Sequence, residues 1–223
     1  MTSPADLTLP YEIRAQVYQL LAALYLSPPD QTALDALRNP SFVADFPLGR
    51  GAGDVEAGLS RLAEALPGVT DRGLMEEFWH LFGTLGPAAA PPWQSVYLDR
   101  EHVLMGEETL RVRALFARFG LASALADRQP EDHLGLQLQF LSIMAARTAE
   151  QLAAGDEAGA RLLLEGTLEC LEANLLRWVD QFARLAEAAS ETGFYAGLSR
   201  LTLGLLRFDQ DQVRQTLTEP SLI

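Results

Sequence analysis

Lysine is absent from this 223-residue sequence, so all 17 basic residues are arginines. There are 30 acidic residues, and the formal net charge at pH 7 is −13. A surface with this excess of negative charge repels nucleic acid phosphates and anionic lipid head groups. We therefore expect neither as a partner. A basic peptide or protein segment is the complementary class of partner, although the charge also has the simpler role of keeping the protein soluble.

Cysteine and long apolar runs are scarce as well. The single cysteine, Cys170, has no second cysteine with which to form an internal disulfide. Because it lies in an apolar helical pattern, we expect it to be a buried core residue. No segment approaches the roughly 18 uninterrupted apolar residues of a membrane span. The first ten residues, MTSPADLTLP, lack the basic region and apolar run of an export signal. We expect a cytoplasmic protein without stable membrane insertion.

Period-two alternation, the signal for strands, is nearly missing. SVYL at 95–98 is the best strand candidate, and it has no partner elsewhere in the sequence. Apolar residues instead recur at helical spacing, and no internal repeat or linker divides the chain. The sequence therefore predicts an all-α, single-domain helical bundle of about nine or more helices over residues 1–223, with flexible tails at 1–9 and 218–223.

Proline, glycine and capping side chains mark the predicted helix ends. The first helix has Pro10 in its first turn, and the segment 39–53 is predicted to be a loop. A helix over 106–119 has Leu110, Leu115 and Phe119 facing inward. Pro130 opens a long helix whose first turn contains Glu131 and Asp132. Side chains that can cap further helices lie at Asp30, Asp54, Thr70 or Asp71, and Asp156, with Gly193 before the last helix.

Enzyme signatures are also missing. Glu77 and His80 form Glu-x-x-His on a predicted helix, a spacing found in di-iron bundles. Those sites need the motif twice with further inward carboxylates, and here it occurs once; a surface or interhelix hydrogen-bonding role is simpler. No phosphate loop, dinucleotide fingerprint, nucleophile elbow or zinc spacing occurs. We expect no metal, no cofactor and no enzyme activity, with a helical-bundle metalloenzyme as the least favoured alternative.

What the sequence does contain is an unusual stretch over 75–133, which holds all three histidines, His80, His102 and His133. Its loop GPAAAPPW (86–93) is too apolar for an ordinary solvated connector. Before the loop, three apolar residues at i, i+3 and i+4 form one ridge: Phe78, Leu81 and Phe82. The ridge is either an internal core stripe, which the spacing alone favours, or a surface that recognises a chain segment.

The turn QPEDH at 129–133 has the same ambiguity. In one interpretation Asp132 is a first-turn residue that favours the helix dipole, and His133 is a satisfied surface or core histidine. In the other interpretation both residues bind a ligand.

Two segments, PPWQSVYLDREHVLMGEETLRVR (91–113) and QPEDH (129–133), resemble the TorD/DmsD family of redox-enzyme maturation chaperones, nearest its DmsD type. FWHLF at 78–82, Trp178 and FYAGL at 194–198 match as well. The likeness covers most of the chain from residue 75 onward, and the N-terminal helices match only in kind.

The resemblance implies an all-helical cytoplasmic chaperone. It would bind the twin-arginine signal peptide of a molybdopterin-containing oxidoreductase precursor of the DMSO-reductase type, and delay export until cofactor insertion and folding are complete. The implied signal-peptide site contains eight residues: Phe78, Leu81, Phe82, Trp93, Tyr97, Pro130, Asp132 and His133. The sequence leaves open whether the chain is a monomer or a domain-swapped dimer.

Three positions depart from the family pattern. Gln94 replaces the glycine that usually follows PPW. Met105 stands where an aromatic residue often precedes Gly106, and Arg177 stands where a proline often precedes Trp178. They affect loop shape and choice of partner. A structural or assembly subunit of a redox complex is the alternative function.

Overall fold

The computed structural model describes residues 4–83, 87–99, 106–123 and 129–222. Within these ranges the regular structure is helical, with one isolated antiparallel bridge between Trp93 and His133 and no strand. The all-α prediction is confirmed. The helices are α1 Pro4–Leu26, α2 Gln31–Leu37, α3 Pro40–Ala44, α4 Gly53–Ala65, α5 Asp71–Phe82, α6 Gln94–Leu98, α7 Glu107–Arg118, α8 Leu134–Ala153, α9 Glu157–Glu169, α10 Val179–Ala189 and α11 Phe194–Thr218.

Side chains cap three helices where the sequence predicts it. Asp30, Thr70 and Asp156 accept hydrogen bonds of 2.8, 3.0 and 2.9 Å from the backbone N–H three residues later. Each satisfies one of the amides that a helix start leaves without an internal partner. Gly193 precedes α11 with φ of 80°, a conformation that glycine adopts without strain. These local signals confirm the starts of α2, α5, α9 and α11.

Two pairs of long helices form the centre of the fold: α1 packs along α8, and α4 along α11. Glycines allow the second pair to approach closely. A Cβ on Gly58 would lie 2.4 Å from the Leu201 backbone nitrogen, and one on Gly204 would lie 2.6 Å from the Val55 nitrogen. Real Cβ atoms do not occur at such distances, so these glycines set the separation of α4 and α11.

Helix α5 inserts its buried face between three other helices. The Phe82 ring centroid lies 5.8 Å from Tyr25 of α1, 5.8 Å from Phe182 of α10 and 5.2 Å from Tyr195 of α11. Aromatic pairs at these separations add to the stabilisation from buried area. The end of α5 is therefore held firmly, and with it the start of the apolar loop.

Several predicted boundaries in the first half are wrong. Helix α1 begins at Pro4, which satisfies the first-turn preference for proline, and Pro10 lies inside the helix. The predicted loop 39–53 contains α3, where Asn39 Oδ1 accepts a 3.0 Å hydrogen bond from the Ser41 N–H. The strand candidate SVYL lies in α6.

Two predictions in the second half are also wrong. The helix predicted from Pro130 begins at Leu134, so Glu131 and Asp132 precede it and the dipole interpretation does not apply. Of the residues predicted to face inward in α7, Leu115 is buried, but Leu110 is 57% exposed, because the buried face carries Val112 in its place. Apolar spacing alone does not decide between two adjacent faces of a short helix.

The segment between α9 and α10 is irregular. A π-helical turn at Cys170–Asn174 and a 3-10 turn at Leu175–Arg177 connect the two helices. Cys170 is fully buried as expected, and burial raises the pKa of its thiol. The described residues include no helix with the length and apolar character that a membrane crossing requires. The single-domain organisation and the flexible tails stay predictions, although residues 4–9 lie in α1.

Candidate functional site

The end of α5 is joined to the apolar loop by backbone hydrogen bonds. The Ala89 N–H donates to the His80 carbonyl at 3.2 Å, and the Ala90 N–H donates to the Leu81 carbonyl at 2.9 Å. The loop therefore folds back along the last turn of α5. Its position follows from backbone pairing, which the side-chain pattern of the sequence does not reveal.

The same loop then pairs with the turn before α8. The Leu134 N–H donates to the Pro92 carbonyl at 2.8 Å, and the Gln94 N–H donates to the Asp132 carbonyl at 3.2 Å. These two bonds flank the isolated bridge between Trp93 and His133. The structure thus brings together the three segments that the sequence separates: the end of α5, the loop, and the turn at 129–133.

The apolar ridge on α5 is part of the core. Phe78, Leu81 and Phe82 are each at most 4% exposed. The exposed apolar residues of this helix are Met75 and Trp79, at 44% and 56% exposure. Trp79 lies edge-to-face against Phe78, with ring centroids 5.3 Å apart. Met75 and Trp79 are not among the predicted site residues, although their i, i+4 spacing indicates a shared face.

Asp132 is fully buried and its carboxylate connects two helices to the turn. Oδ2 accepts a hydrogen bond from the Ser95 N–H, and Oδ1 accepts one from the Thr109 hydroxyl, both at 2.8 Å. Its carbonyl also accepts from Gln137 Nε2 at 3.0 Å. Burying a carboxylate is costly unless hydrogen bonds replace its water. Asp132 therefore fixes the first turns of α6 and α7 relative to α8.

His133 is the N-cap residue of α8. Its Nδ1 accepts a 3.0 Å hydrogen bond from the Gly135 N–H, which requires a neutral ring with its hydrogen on Nε2. Removal from water lowers the pKa of His133 to about 3. The ring packs edge-on against Trp93, with centroids 5.3 Å apart. His133 is therefore a satisfied core histidine, one of the interpretations that the sequence allows.

Tyr97 and Pro130 are the two predicted site residues that keep an intermediate exposure, whereas the other six are buried. The Tyr97 ring stacks on Trp178, with centroids 5.1 Å apart and an interplanar angle of 28°. Removal from water raises the pKa of Tyr97. The Tyr97 hydroxyl and the Trp93 indole N–H are buried without a hydrogen-bond partner. A ligand that approaches the eight residues from solvent would contact Tyr97 and Pro130 first.

Comparison with known proteins decides the family. The model of the nitrate reductase delta subunit family matches residues 50–184, more than half of the chain. The chain is 29% identical to the chaperone protein TorD of Vibrio cholerae, over 96% of this chain and 98% of TorD. It is 36% identical to the Tat proofreading chaperone DmsD of Salmonella typhi, over 57% of this chain and 61% of DmsD. The chain belongs to the TorD/DmsD family of redox-enzyme maturation chaperones.

The predicted family is thereby confirmed, and the named relatives are chaperones, as expected for a chain that is not an enzyme. TorD matches nearly the whole chain at lower identity, and DmsD matches a shorter part at higher identity. An Archaeoglobus fulgidus crystal structure described as a redox enzyme maturation protein superposes with a TM-score of 0.54 and 24% identity, covering 87% of this chain and 93% of that one. This last likeness concerns the fold alone.

In this member of the TorD/DmsD family, Glu77 has the interhelix role that the sequence analysis favours. It is buried and accepts hydrogen bonds from the Ser190 hydroxyl at 2.6 Å, the Glu191 N–H at 2.8 Å, and the N–H and hydroxyl of Thr192. It thus caps the turn between α10 and α11, while His80 faces solvent. No three His, Cys, Asp or Glu side chains are grouped to hold a metal ion within the described ranges, which leave out His102.

Two departures from the family pattern meet at one carboxylate. Gln94 Nε2 donates to Glu108 Oε2 at 2.6 Å, and Arg177 Nη1 donates to the same oxygen at 2.9 Å. Gln94 also donates to Asn174 Oδ1 at 3.3 Å, and its Oε1 accepts from Gln137 Nε2 at 3.2 Å. The departures therefore form one buried polar cluster that links α6, α7, α8 and the π turn. Met105, the third departure, lies outside the described residues.

Proposed function

We propose that this chain binds the twin-arginine signal peptide of a molybdopterin-containing oxidoreductase precursor in the cytoplasm, and delays export until cofactor insertion and folding are complete. One observation carries the proposal. The segments 91–99, 106–113 and 129–133, which carry the family resemblance, converge on the buried carboxylate of Asp132. A surface held in one conformation binds a flexible peptide better, because less ordering is needed on binding.

Complementarity of apolar area and charge supports the same function. A twin-arginine leader has a basic end and an apolar middle. The exposed Met75 and Trp79, together with Pro87, Ala88, Ala89 and Pro91 of the loop, give an apolar surface, whereas Ala90 is buried. Burial of apolar area contributes about 25 cal/mol per Å², less the cost of ordering the peptide. The net charge of −13 attracts the basic end, and this sets direction and association rate more than affinity.

The eight predicted residues then act in two ways. Tyr97 and Pro130 contact the leader, because they keep exposed surface. Asp132, His133 and Trp93 position the loop from beneath. The buried ridge Phe78, Leu81 and Phe82 supports Trp79, which meets the apolar middle of the leader.

Isothermal titration calorimetry with twin-arginine leaders of co-encoded oxidoreductases tests this function. We expect saturable one-to-one binding with a negative heat capacity change, because apolar area is buried. The matched control peptide has the same length and charge, with apolar residues in its middle replaced by serines. It should bind at least about tenfold more weakly, since a leader that loses about 60 Å² of apolar burial loses about 1.5 kcal/mol. Absence of binding by every leader would refute the proposal.

A second candidate is a structural or assembly subunit of a redox complex. The matching family model is described as the delta subunit of nitrate reductase, which favours this function. It requires a folded partner that stays bound through purification, and no affinity for isolated leaders. The same titration therefore separates the two candidates, and sedimentation of the purified chain decides between the monomer and the domain-swapped dimer.

A further inference from the structure

The backbone at the end of α5 has few groups left for a bound peptide. The last four carbonyls of a helix have no partner within it, and nearby amides satisfy three of them here. The bonds are Gly83 N–H to the Trp79 carbonyl at 3.0 Å, Ala89 N–H to His80 at 3.2 Å, and Ala90 N–H to Leu81 at 2.9 Å. Near the exposed Met75 and Trp79, α5 therefore offers a ligand its side chains and not its backbone.

The loop that follows is equally occupied. Six of the eight residues at 87–94 have no N–H to give, because each is a proline or already donates to a backbone carbonyl: Pro87, Ala89, Ala90, Pro91, Pro92 and Gln94. The two others, Ala88 and Trp93, are five positions apart. A strand that joins another needs a backbone partner at every second residue. This segment therefore cannot receive an extended peptide as an added strand.

A peptide that buries its apolar middle at this site must pair its own backbone. Each peptide group that leaves water without a partner destabilises the complex, and an extended chain has no internal hydrogen bonds to replace those it loses. A helix bonds each N–H to the carbonyl four residues earlier. We infer that the apolar middle of the leader binds as a helix, which lies along the exposed face of α5 beside the loop at 87–91.

The side chains on this face of α5 suit a helical partner. Met75 and Trp79 lie one turn apart and are 44% and 56% exposed, so a partner helix can contact both. Packed helices lie about 8–10 Å apart, and the short proline and alanine side chains of the loop permit that approach. Arg72 and Glu76, an exposed ion pair at 2.9 Å, give the face a polar border. The leader then presents apolar residues at i, i+3 or i+4, and i+7.

This inference rests on the proposed function, and constrained leaders test it. A hydrocarbon staple joins residues i and i+4 in the apolar middle of a leader. Four such leaders shift the staple by one position each, so that in at least one of them it faces away from α5. The control for each is the same peptide with its two staple-forming residues left unjoined. We expect at least one stapled leader to bind about fivefold more tightly than its control, because the helix is ordered before binding.

Two further measurements show whether the helix forms and where it lies. Cα chemical shifts of an isotope-labelled linear leader should move to helical values on binding. Trp79→Ala should weaken binding of the best stapled leader by about tenfold, whereas Leu162→Ala, at a 58% exposed leucine of α9, should weaken it by less than about twofold.

Three results would each overturn the helical mode on α5 while the leader still binds: extended chemical shifts, no gain from any of the four staples, or equal effects of the two alanine variants. If wild type binds no leader at all, the proposed function itself fails, and the helical mode fails with it.

Discussion

Replacement of Asp132 by alanine should lower the free energy of unfolding by about 3 kcal/mol, since each hydrogen bond to a buried charged group contributes about 1.5–3 kcal/mol. The substitution leaves the Ser95 N–H and the Thr109 hydroxyl without an acceptor. Part of the loss is recovered, because the mutant no longer buries a carboxylate. Urea denaturation followed by circular dichroism measures the change.

Two variants separate the hydrogen bonds from the cavity left by the side chain. Thr109→Val removes one donor at nearly constant volume and should cost about 1 kcal/mol. Asp132→Asn keeps the volume but presents an amide to one of the two donors, so its stability should fall between Thr109→Val and Asp132→Ala. A loss below about 0.5 kcal/mol in Asp132→Ala, the usual range for a surface site, would mean that this carboxylate contacts a ligand instead of holding the fold.

Lowering the pH from about 7.5 to about 5 should destabilise the protein by about 2 kcal/mol through His133 alone. In the unfolded chain this histidine titrates near its ordinary pKa of 6.5, whereas burial lowers its folded pKa to about 3. The unfolded state therefore binds more protons in this window, and stability rises with pH between the two pKa values. Urea denaturation at both pH values measures the effect.

The matched variants are His133→Asn and His80→Asn. Asparagine at 133 keeps a side-chain acceptor at the N-cap of α8 but does not titrate. It should remove about 2 kcal/mol of the pH dependence. His80 faces solvent, so His80→Asn should retain the pH dependence of wild type. If both variants behave like wild type, His133 is not held neutral by burial, and its cap geometry is not the one described.

These two effects concern residues that the family resemblance assigns to the signal-peptide site. Both residues are buried, and both hold the loop at 87–99 in place. A substitution at either position can therefore reduce leader binding by loosening the loop. Binding data for such variants are informative only beside their stability, whereas Tyr97 and Pro130 keep the exposed surface that a direct contact needs.

Local signals were enough to predict much of the helical framework. Asp30, Thr70 and Asp156 cap helices because each side chain reaches the amide three residues later, a property of sequence spacing. The start of α8 could not be predicted in the same way. His133 caps this helix through its ring nitrogen, and the Leu134 amide bonds to the distant Pro92 carbonyl. Long-range pairing overrides the preference of Pro130 for a first turn.

The sequence predicts which residues belong to the site better than it predicts where they lie. The sequence singles out Asp132 and His133, but their burial follows from residues distant in the sequence. Ser95, for example, bonds to Asp132 across 37 positions. The ridge at Phe78 and the pair Met75 and Trp79 occupy adjacent faces of α5, and only the packing of Phe82 between α1, α10 and α11 decides which face is inside. The periodicity of the sequence shows which residues share a face of a helix, whereas tertiary contacts determine which face is buried.

Amide hydrogen exchange with and without a saturating twin-arginine leader tests the location of binding most directly. We expect slower exchange over 87–99 and 129–133 and in the exposed half of α5, because the leader covers or rigidifies these segments. The groove of about 370 Å³ between the ends of α1 and α11 should be unaffected. Protection confined to that groove, with unchanged exchange over 87–99 and 129–133, would contradict the proposed site.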